Sequence, residues 1–271
     1  MQIKNKVALV LGGGKGIGKA VGIALAEAGA SVVFTYFDWP DESQRTIQEF
    51  VQLDGEHLPL KVDLRQPEQV RQLFTQIKEK FGQLHIFFNN IERGGMPVVH
   101  GDYTGEQWDL ELETTLKAKR FAFHHALPLM KKAGAGVVIN VSSIAGIVGR
   151  CGPAGLIFND GYAAANRAVS SFTETWTREA APTVRVNELM LGFFAGRHAE
   201  NTRGWDLLTK EQQQAIHEHI LLQRSGRYDD IIKAVFFLIR DAPYMTGAVL
   251  RLDGGYVLGG EKVPPMPRGV L

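Results

Sequence analysis

Short runs of β-branched and aromatic residues alternate with amphipathic stretches from one end of the chain to the other. Val7 to Leu11, Ser31 to Tyr36, Leu58 to Val62, Leu84 to Phe88, Gly136 to Val141, Val184 to Leu189 and Ala248 to Leu252 read as strands. Most of these runs are continuously apolar, without the alternation of a half-exposed strand, which is the pattern of parallel strands covered on both faces. Between them lie helical spacings. Ile17, Ala20, Val21, Ala24, Leu25 and Ala28 recur on one helical face, and Gly29 ends that helix. Pro67 and Glu68 open a second helix that runs to about Phe81. A third, from Glu106 to Lys132, carries Leu110, Leu116, Phe121, Phe123 and Leu127. This is apolar surface to spare, and it predicts a homo-oligomer. Strand–helix alternation implies right-handed crossovers and an α/β fold with a doubly wound parallel sheet. Residues 1–258 read as a single domain. The tail 259–271, with three prolines, lies past the last strand and reads as a surface or intersubunit segment.

Composition narrows the function classes. The chain has 271 residues, and its 30 Lys and Arg nearly cancel 29 Asp and Glu, so no nucleic-acid surface is expected. With 45% apolar and 22% charged residues, the chain is of ordinary globular composition. A lone Cys151 leaves no intramolecular disulfide and no cysteine-cluster metal site. No run reaches the roughly 18 apolar residues of a membrane span, and Met-Gln-Ile-Lys-Asn-Lys is no signal-peptide core. These features predict a soluble cytoplasmic protein with no membrane partner. His124-His125 and His217-x-His219 do not place their rings on one helical face, so no metal is expected.

The chemistry begins at Leu11-Gly12-Gly13-Gly14-Lys15-Gly16-Ile17-Gly18, between the first strand and the first helix. Glycines there let the backbone turn sharply and approach a pyrophosphate, while the helix N-terminus offers free N–H groups and a favourable dipole. Gly12, Gly16 and Gly18 give G-x-x-x-G-x-G, whereas the commoner G-x-G-x-x-G fails at Ile17. The loop is similar to the T-G-x-x-x-G-x-G of the short-chain dehydrogenase/reductase family, with Leu11 in place of the Thr. Ordered partial matches extend over nearly the whole chain. Asp63-Leu64 resembles the step that meets adenine, and Asn89-Asn90-Ile91-Glu92 resembles N-N-A-G. Arg185-Val186-Asn187 with Leu191-Gly192 is similar to R-V-N…P-G near the nicotinamide, and Arg224 to Arg227 and Thr246 to Gly255 match the C-terminal signature. The resemblance implies a seven-stranded Rossmann fold with helices on both faces. It also implies an oxidoreductase acting on a small-molecule carbonyl or alcohol with NAD(P)(H). The implied cofactor contacts are Gly12, Lys15, Gly16, Ile17, Gly18, Tyr36, Asp63, Leu64, Asn89, Asn166 and Gly192. An acid at the tip of the second strand would select NAD(H). Tyr36 stands there, with Asp38 beyond, and Lys15 precedes Gly16, so the balance favours NADP(H) over NAD(H).

In the family a Tyr exchanges the substrate proton, a Ser orients the substrate oxygen, and a Lys four residues after the Tyr holds the ribose and favours the phenolate. An Asn on an earlier helix supports the Lys through a water. Tyr162 lies in this context, but the fourth residue beyond it is Asn166, and Thr115 stands where the Asn is expected. A free phenol titrates at about 10, and a cation near 4 Å is worth up to about 4 kcal/mol at an effective dielectric of 20, roughly a thousandfold in proton affinity. Without that charge Tyr162 is a poor base but still a proton donor, which favours reduction. Arg150 is a candidate replacement cation and substrate contact; Arg167, around the helix, is a weaker one. Ser143 is the expected orienting hydroxyl, 19 positions before Tyr162, a longer gap than usual. The extra residues in Arg150 to Asp160 either shape a substrate pocket or form a surface insertion. Ala195 to Leu222 corresponds to a mobile lid, where Gly196 replaces a Thr that holds the carboxamide. Phe193, Phe194 and Trp205 point to a bulky apolar substrate. The leading expectation is therefore an NAD(P)(H)-dependent carbonyl reductase with Ser143, Tyr162 and Asn166 in its catalytic site. The alternative is a catalytically impaired cofactor-binding protein, a sensor or an inactive subunit.

Overall fold

The computed structural model describes residues 1–91 and 103–269. Strands β1 (Val7–Val10), β2 (Ser31–Tyr36), β3 (Leu58–Lys61), β4 (Ile86–Asn89), β5 (Gly136–Ser143), β6 (Val184–Leu191) and β7 (Val249–Leu252) form one sheet. Their order is β3-β2-β1-β4-β5-β6-β7, and every pairing is parallel. The chain winds outward from β1 to β3, then returns to the middle and winds the other way. The switch between β1 and β4 leaves a crevice at the carboxyl ends of the strands, where ligands of such sheets bind. β5 and β6 each run two residues past the expected ends, pairing Ser142 with Met190 and Ser143 with Leu191. The two serines read as a strand stop. They remain in the strand because the Ser142 hydroxyl donates to the buried carboxylate of Glu188 on β6.

Both sheet faces are covered. Val70, Leu73 and Ile77 of α3 (Pro67–Phe81) pack on one face with Ala122, Phe123 and Ala126 of α5 (Ala118–Lys132) and Trp176 of α7 (Asp160–Ala180). Val21 and Leu25 of α1 (Gly16–Glu27) pack on the other face with Phe50 of α2 (Pro40–Val51) and Ile231 and Val235 of α10 (Tyr228–Phe236). A third apolar cluster, including Phe158, Tyr162, Phe193, Trp205 and Tyr256, caps the carboxyl end of β5 and β6. It includes the segments around α6 (Ala145–Val148), α8 (Arg203–Asp206) and α9 (Lys210–His219).

The helix expected over 106–132 is two helices, α4 (Gly105–Leu112) and α5, joined by a π-helical turn at Glu113–Lys117. Thr114 and Thr115 occupy that turn, and the Thr114 hydroxyl donates to the Leu110 carbonyl at 2.8 Å, competing with the backbone ladder. Phe123 and Leu127 face the core, so part of the surface that read as spare is already covered within the chain. Phe123 lies flat on Trp176 at 4.2 Å between ring centroids.

Candidate active site

A cavity of about 690 Å³ runs along the crevice. Gly12, Gly14, Lys15, Gly16 and Ile17 line one stretch of it. Gly12 adopts φ +66°, and a Cβ there would stand 2.8 Å from the Asn90 carbonyl oxygen, so only glycine keeps this turn. The N-cap of α1 is Lys15, which makes no side-chain cap, so the first-turn N–H groups are left for an anion. Gly18 lies behind the loop: a Cβ there would overlap the Gly12 carbonyl. Its role is close packing of loop on helix.

The neighbouring stretch is built for a flat, polar-edged group. Tyr36, Asp38, Trp39, Asp63, Leu64 and Arg65 line it. The Lys15 ammonium sits 3.2 Å from the centroid of the Trp39 ring, a cation–π contact that fixes both. Arg65 grips Asp63 bidentately, Nε to Oδ1 at 2.8 Å and Nη2 to Oδ2 at 2.7 Å, and holds that carboxyl below its usual range. Trp39 and Arg65 carried no signal in the sequence, because each belongs to the site only through contacts made by folding. The glycine cradle, the uncapped helix end and this polar pocket fit the phosphates and adenosine of a dinucleotide.

At the far end stands Tyr162. Asn159 caps α7, its side-chain oxygen accepting the Tyr162 N–H at 2.9 Å, which sets the phenol on the first turn. The side chain is buried at 4% exposure, yet it lines the cavity. Its hydroxyl meets two side chains: Arg197 Nη2 donates to it at 3.1 Å, and His198 Nε2 lies at 2.9 Å. Asn166, one turn on, spends its amide on the Tyr162 carbonyl at 3.0 Å and lines a smaller adjoining cavity with Thr115, Lys119 and Arg197. α4 presents Glu111 to the main cavity, and its carboxylate accepts from Tyr103 at 3.1 Å and from Thr115.

Several residues read as site members sit elsewhere. Arg150 pairs with Asp160 across 3.8 Å and does not line the main cavity. Phe193 and Phe194 are each 2% exposed. Phe193 stacks on Phe158, and Phe194 packs against Gly226, so their bulk serves the core and not a substrate. Trp205 is buried likewise. Asn89 is buried, its amide bonded to Asn140 and its carbonyl accepting the Lys119 ammonium at 3.0 Å; the neighbouring Asn90 lines the cavity in its place. Glu92 lies outside the described residues. Gly192 packs backbone to backbone against Asp253, where a Cβ would come within 2.8 Å. Ser143 ends β5 beside Ile144 and Ala145 of the Tyr162 cluster, its hydroxyl oxygen accepting the Ala145 N–H at 3.1 Å. Of the segment 150–160, Ile157 and Asn159 line the cavity, while Ala154 and Phe158 are core.

Behind the site, burial raises the Glu188 carboxyl above its usual range, against the pull of Ser142, Ser170, Lys119 and Arg167. A carboxyl with a higher value folded than unfolded contributes stability below the unfolded value and loses it as pH rises through the folded one. Glu188→Gln is expected to remove this dependence. The variant should match the wild type in acid and exceed it at neutral pH. Thermal melts of both proteins across pH check this; parallel curves would refute it.

The sheet order defines a doubly wound α/β scaffold of the Rossmann type, and the comparisons place it more closely. A family model described as Enoyl-(Acyl carrier protein) reductase matches residues 12–257. The 3-oxoacyl-[acyl-carrier-protein] reductase FabG of Thermotoga maritima is 30% identical over 267 residues, covering 95% of this chain and 100% of that protein. The cyclohexanol dehydrogenase of an Acinetobacter strain is 29% identical over 258 residues, covering 94% of this chain and 96% of its own. The structure of a short-chain type dehydrogenase/reductase from Mycobacterium ulcerans superposes with a TM-score of 0.83 at 24% identity, over 96% of this chain and 92% of that one. The chain belongs to the short-chain dehydrogenase/reductase family and is an oxidoreductase of that family. Among the described residues, no helix is long and apolar enough to cross a membrane.

Proposed function

We propose that this protein reduces a ketone or aldehyde at the expense of a nicotinamide dinucleotide, NADPH ahead of NADH, with Tyr162 as the proton donor. The observation that carries the reading is a single cavity with a glycine cradle along it and a buried phenol beyond, held by Arg197 and His198. The dinucleotide, when bound, supplies the hydride. Gly12, Gly14, Gly16 and Ile17 would hold its phosphates, and Tyr36, Asp63, Leu64 and Arg65 its adenosine. Lys15 favours the extra phosphate of NADP(H), and its seat on Trp39 keeps the ammonium at that end. Tyr162 gives its hydroxyl proton to the substrate oxygen as the carbonyl carbon is reduced.

The substrate end is amphiphilic. Leu110 and Ile157 offer apolar wall, and Glu111 with Tyr103 offers a polar one. The FabG relatives are named for 3-oxoacyl chains, and these have both an apolar tail and a second carbonyl. A short 3-oxoacyl thioester is therefore the first substrate to offer, with cyclic ketones second. The test follows nicotinamide absorbance with NADPH and with NADH over this panel. Reduction of at least one carbonyl, faster with NADPH, is the expected result. Tight dinucleotide binding with no turnover on any of them would overturn it in favour of a cofactor-binding protein without catalysis.

A further inference from the structure

The phenol of Tyr162 has a cation, although position 166 does not provide one. Arg197 follows a tight reversal of the chain after β6, where Phe194 and Arg197 exchange backbone hydrogen bonds, N–H to carbonyl at 3.0 Å one way and 2.7 Å the other. Gly196 makes the reversal possible with φ +80°, and a Cβ there would overlap the Tyr228 hydroxyl. The next residue, His198, is itself left-handed at φ +61°, a conformation of modest cost that histidine tolerates better than most. These two bends send consecutive side chains to one atom. Arg197 Nη2 lies 3.1 Å and His198 Nε2 2.9 Å from the Tyr162 oxygen.

We propose that Arg197 is the positioning cation of Tyr162, carried on this turn in place of an ammonium at 166, with His198 as the group that returns the proton. The reading rests on Tyr162 as proton donor and adds where its charge is balanced. A guanidinium has donors only, so its bond to the phenol oxygen strengthens when that oxygen becomes anionic. The phenol hydrogen is then left for the His198 nitrogen or for a substrate oxygen. In reduction the Tyr162 O–H bond breaks as the substrate O–H bond forms, and the phenolate left behind accepts from Arg197. His198 then takes a proton from solvent at Nε2 and passes it to the phenolate, which restores the phenol and the neutral imidazole. Asn166 cannot take Arg197's part, because its amide already donates to the Tyr162 carbonyl and bears no charge.

Among the described residues, other charged and titratable groups stand near the phenol. Glu111 and Tyr103 line the main cavity with it, and Lys119 lines the smaller cavity that Arg197 and Asn166 share. Asp160, on its own helix, faces Arg150. Of these charged groups, Arg197 is the one with a donor in direct contact with the phenol oxygen.

The test reads the phenol itself, without dinucleotide or substrate. Protein carrying tyrosine labelled with ¹³C at Cζ is titrated by NMR, and the Tyr162 signal is assigned by its loss in Tyr162→Phe. In Arg197→Gln the Tyr162 midpoint is expected to move up by about one pH unit or more, a tenfold loss of phenolate stabilisation. Arg197→Lys should recover most of the shift, and Asn166→Lys placed in Arg197→Gln should recover part of it. His198→Gln is expected to move the midpoint less than Arg197→Gln does. An unchanged midpoint in folded Arg197→Gln, or a midpoint in Arg197→Lys as high as in Arg197→Gln, overturns the assignment. Should Arg197→Gln fail to fold, Arg197→Met takes its place, and a Tyr162 midpoint that stays at the wild-type value in it overturns the assignment. A shifted phenol in a protein that reduces nothing would sink the proposed reduction and leave the Arg197 assignment standing. An active reductase with an indifferent phenol would do the reverse.

Discussion

Tyr162→Phe is expected to lower kcat/KM for carbonyl reduction by about 10²- to 10⁴-fold, the usual worth of one positioned proton donor. Dinucleotide affinity should hold, because the cradle at Gly12 to Ile17 lies elsewhere in the cavity. The fold should weaken only modestly. Removing the hydroxyl leaves Arg197 and His198 each short of one partner inside a site where the phenol is 4% exposed. An unsatisfied buried polar group costs roughly 1–3 kcal/mol, so the melting temperature should drop by several degrees without loss of cooperativity. Steady-state rates, dinucleotide titration and a thermal melt on the same preparation separate the three effects. Equal activity in wild type and variant would remove the phenol from the chemistry, and the protons would then have to come from His198 or water. Loss of dinucleotide binding alongside activity would instead mean that the ring supports the cleft.

The architecture was legible because its causes are local. Parallel strands buried on both faces leave uninterrupted apolar runs, and all seven were readable to within a few residues. α2 was not, since its buried face is Ser43, Thr46 and Phe50, two of them polar. The π-turn at Glu113–Lys117 was likewise invisible, because a single inserted residue shifts the apolar face only once, and a short stretch of sequence does not resolve that shift. The site divides the same way. Its glycine loop is contiguous in sequence, so spacing alone exposes it. Arg197 lies 35 positions from Tyr162 and meets it only through a turn whose geometry depends on Gly196. Sequence alone directs the search for the missing charge to the same loop or helix, and so to Arg150, whose guanidinium turns to Asp160 instead. The aromatic pair Phe193 and Phe194 misled for a related reason: residues beside a lid are drawn into its core as readily as into its pocket, and composition does not distinguish the two.

The glycine loop supplies the second large effect, and here contact and conformation make opposite forecasts. Gly16 is left-handed at φ +57°, whereas Gly18 has no such requirement, so conformation alone would make Gly16 the more sensitive position. The surroundings reverse the order. A methyl at Gly16 would meet only the Tyr228 hydroxyl, at 3.7 Å, so Gly16→Ala should cost little beyond the left-handed penalty, about 1–2 kcal/mol. A methyl at Gly18 would overlap the carbonyl of Gly12 and press on the Asn90 amide at 3.1 Å. Neither neighbour can yield, since Gly12 is itself locked at φ +66° against the Asn90 backbone. The loop must therefore lift from α1, at about 1–3 kcal/mol for overpacking, and its N–H groups lose their aim at the phosphates. Gly18→Ala is accordingly expected to weaken dinucleotide binding by at least about tenfold, equivalent to roughly 1.4 kcal/mol, and to melt lower than Gly16→Ala. Calorimetric titration with NADPH and thermal melts of the two variants decide it. A Gly18→Ala protein that binds like wild type while Gly16→Ala does not would mean that backbone handedness, and not the packing of loop on helix, holds the cradle open.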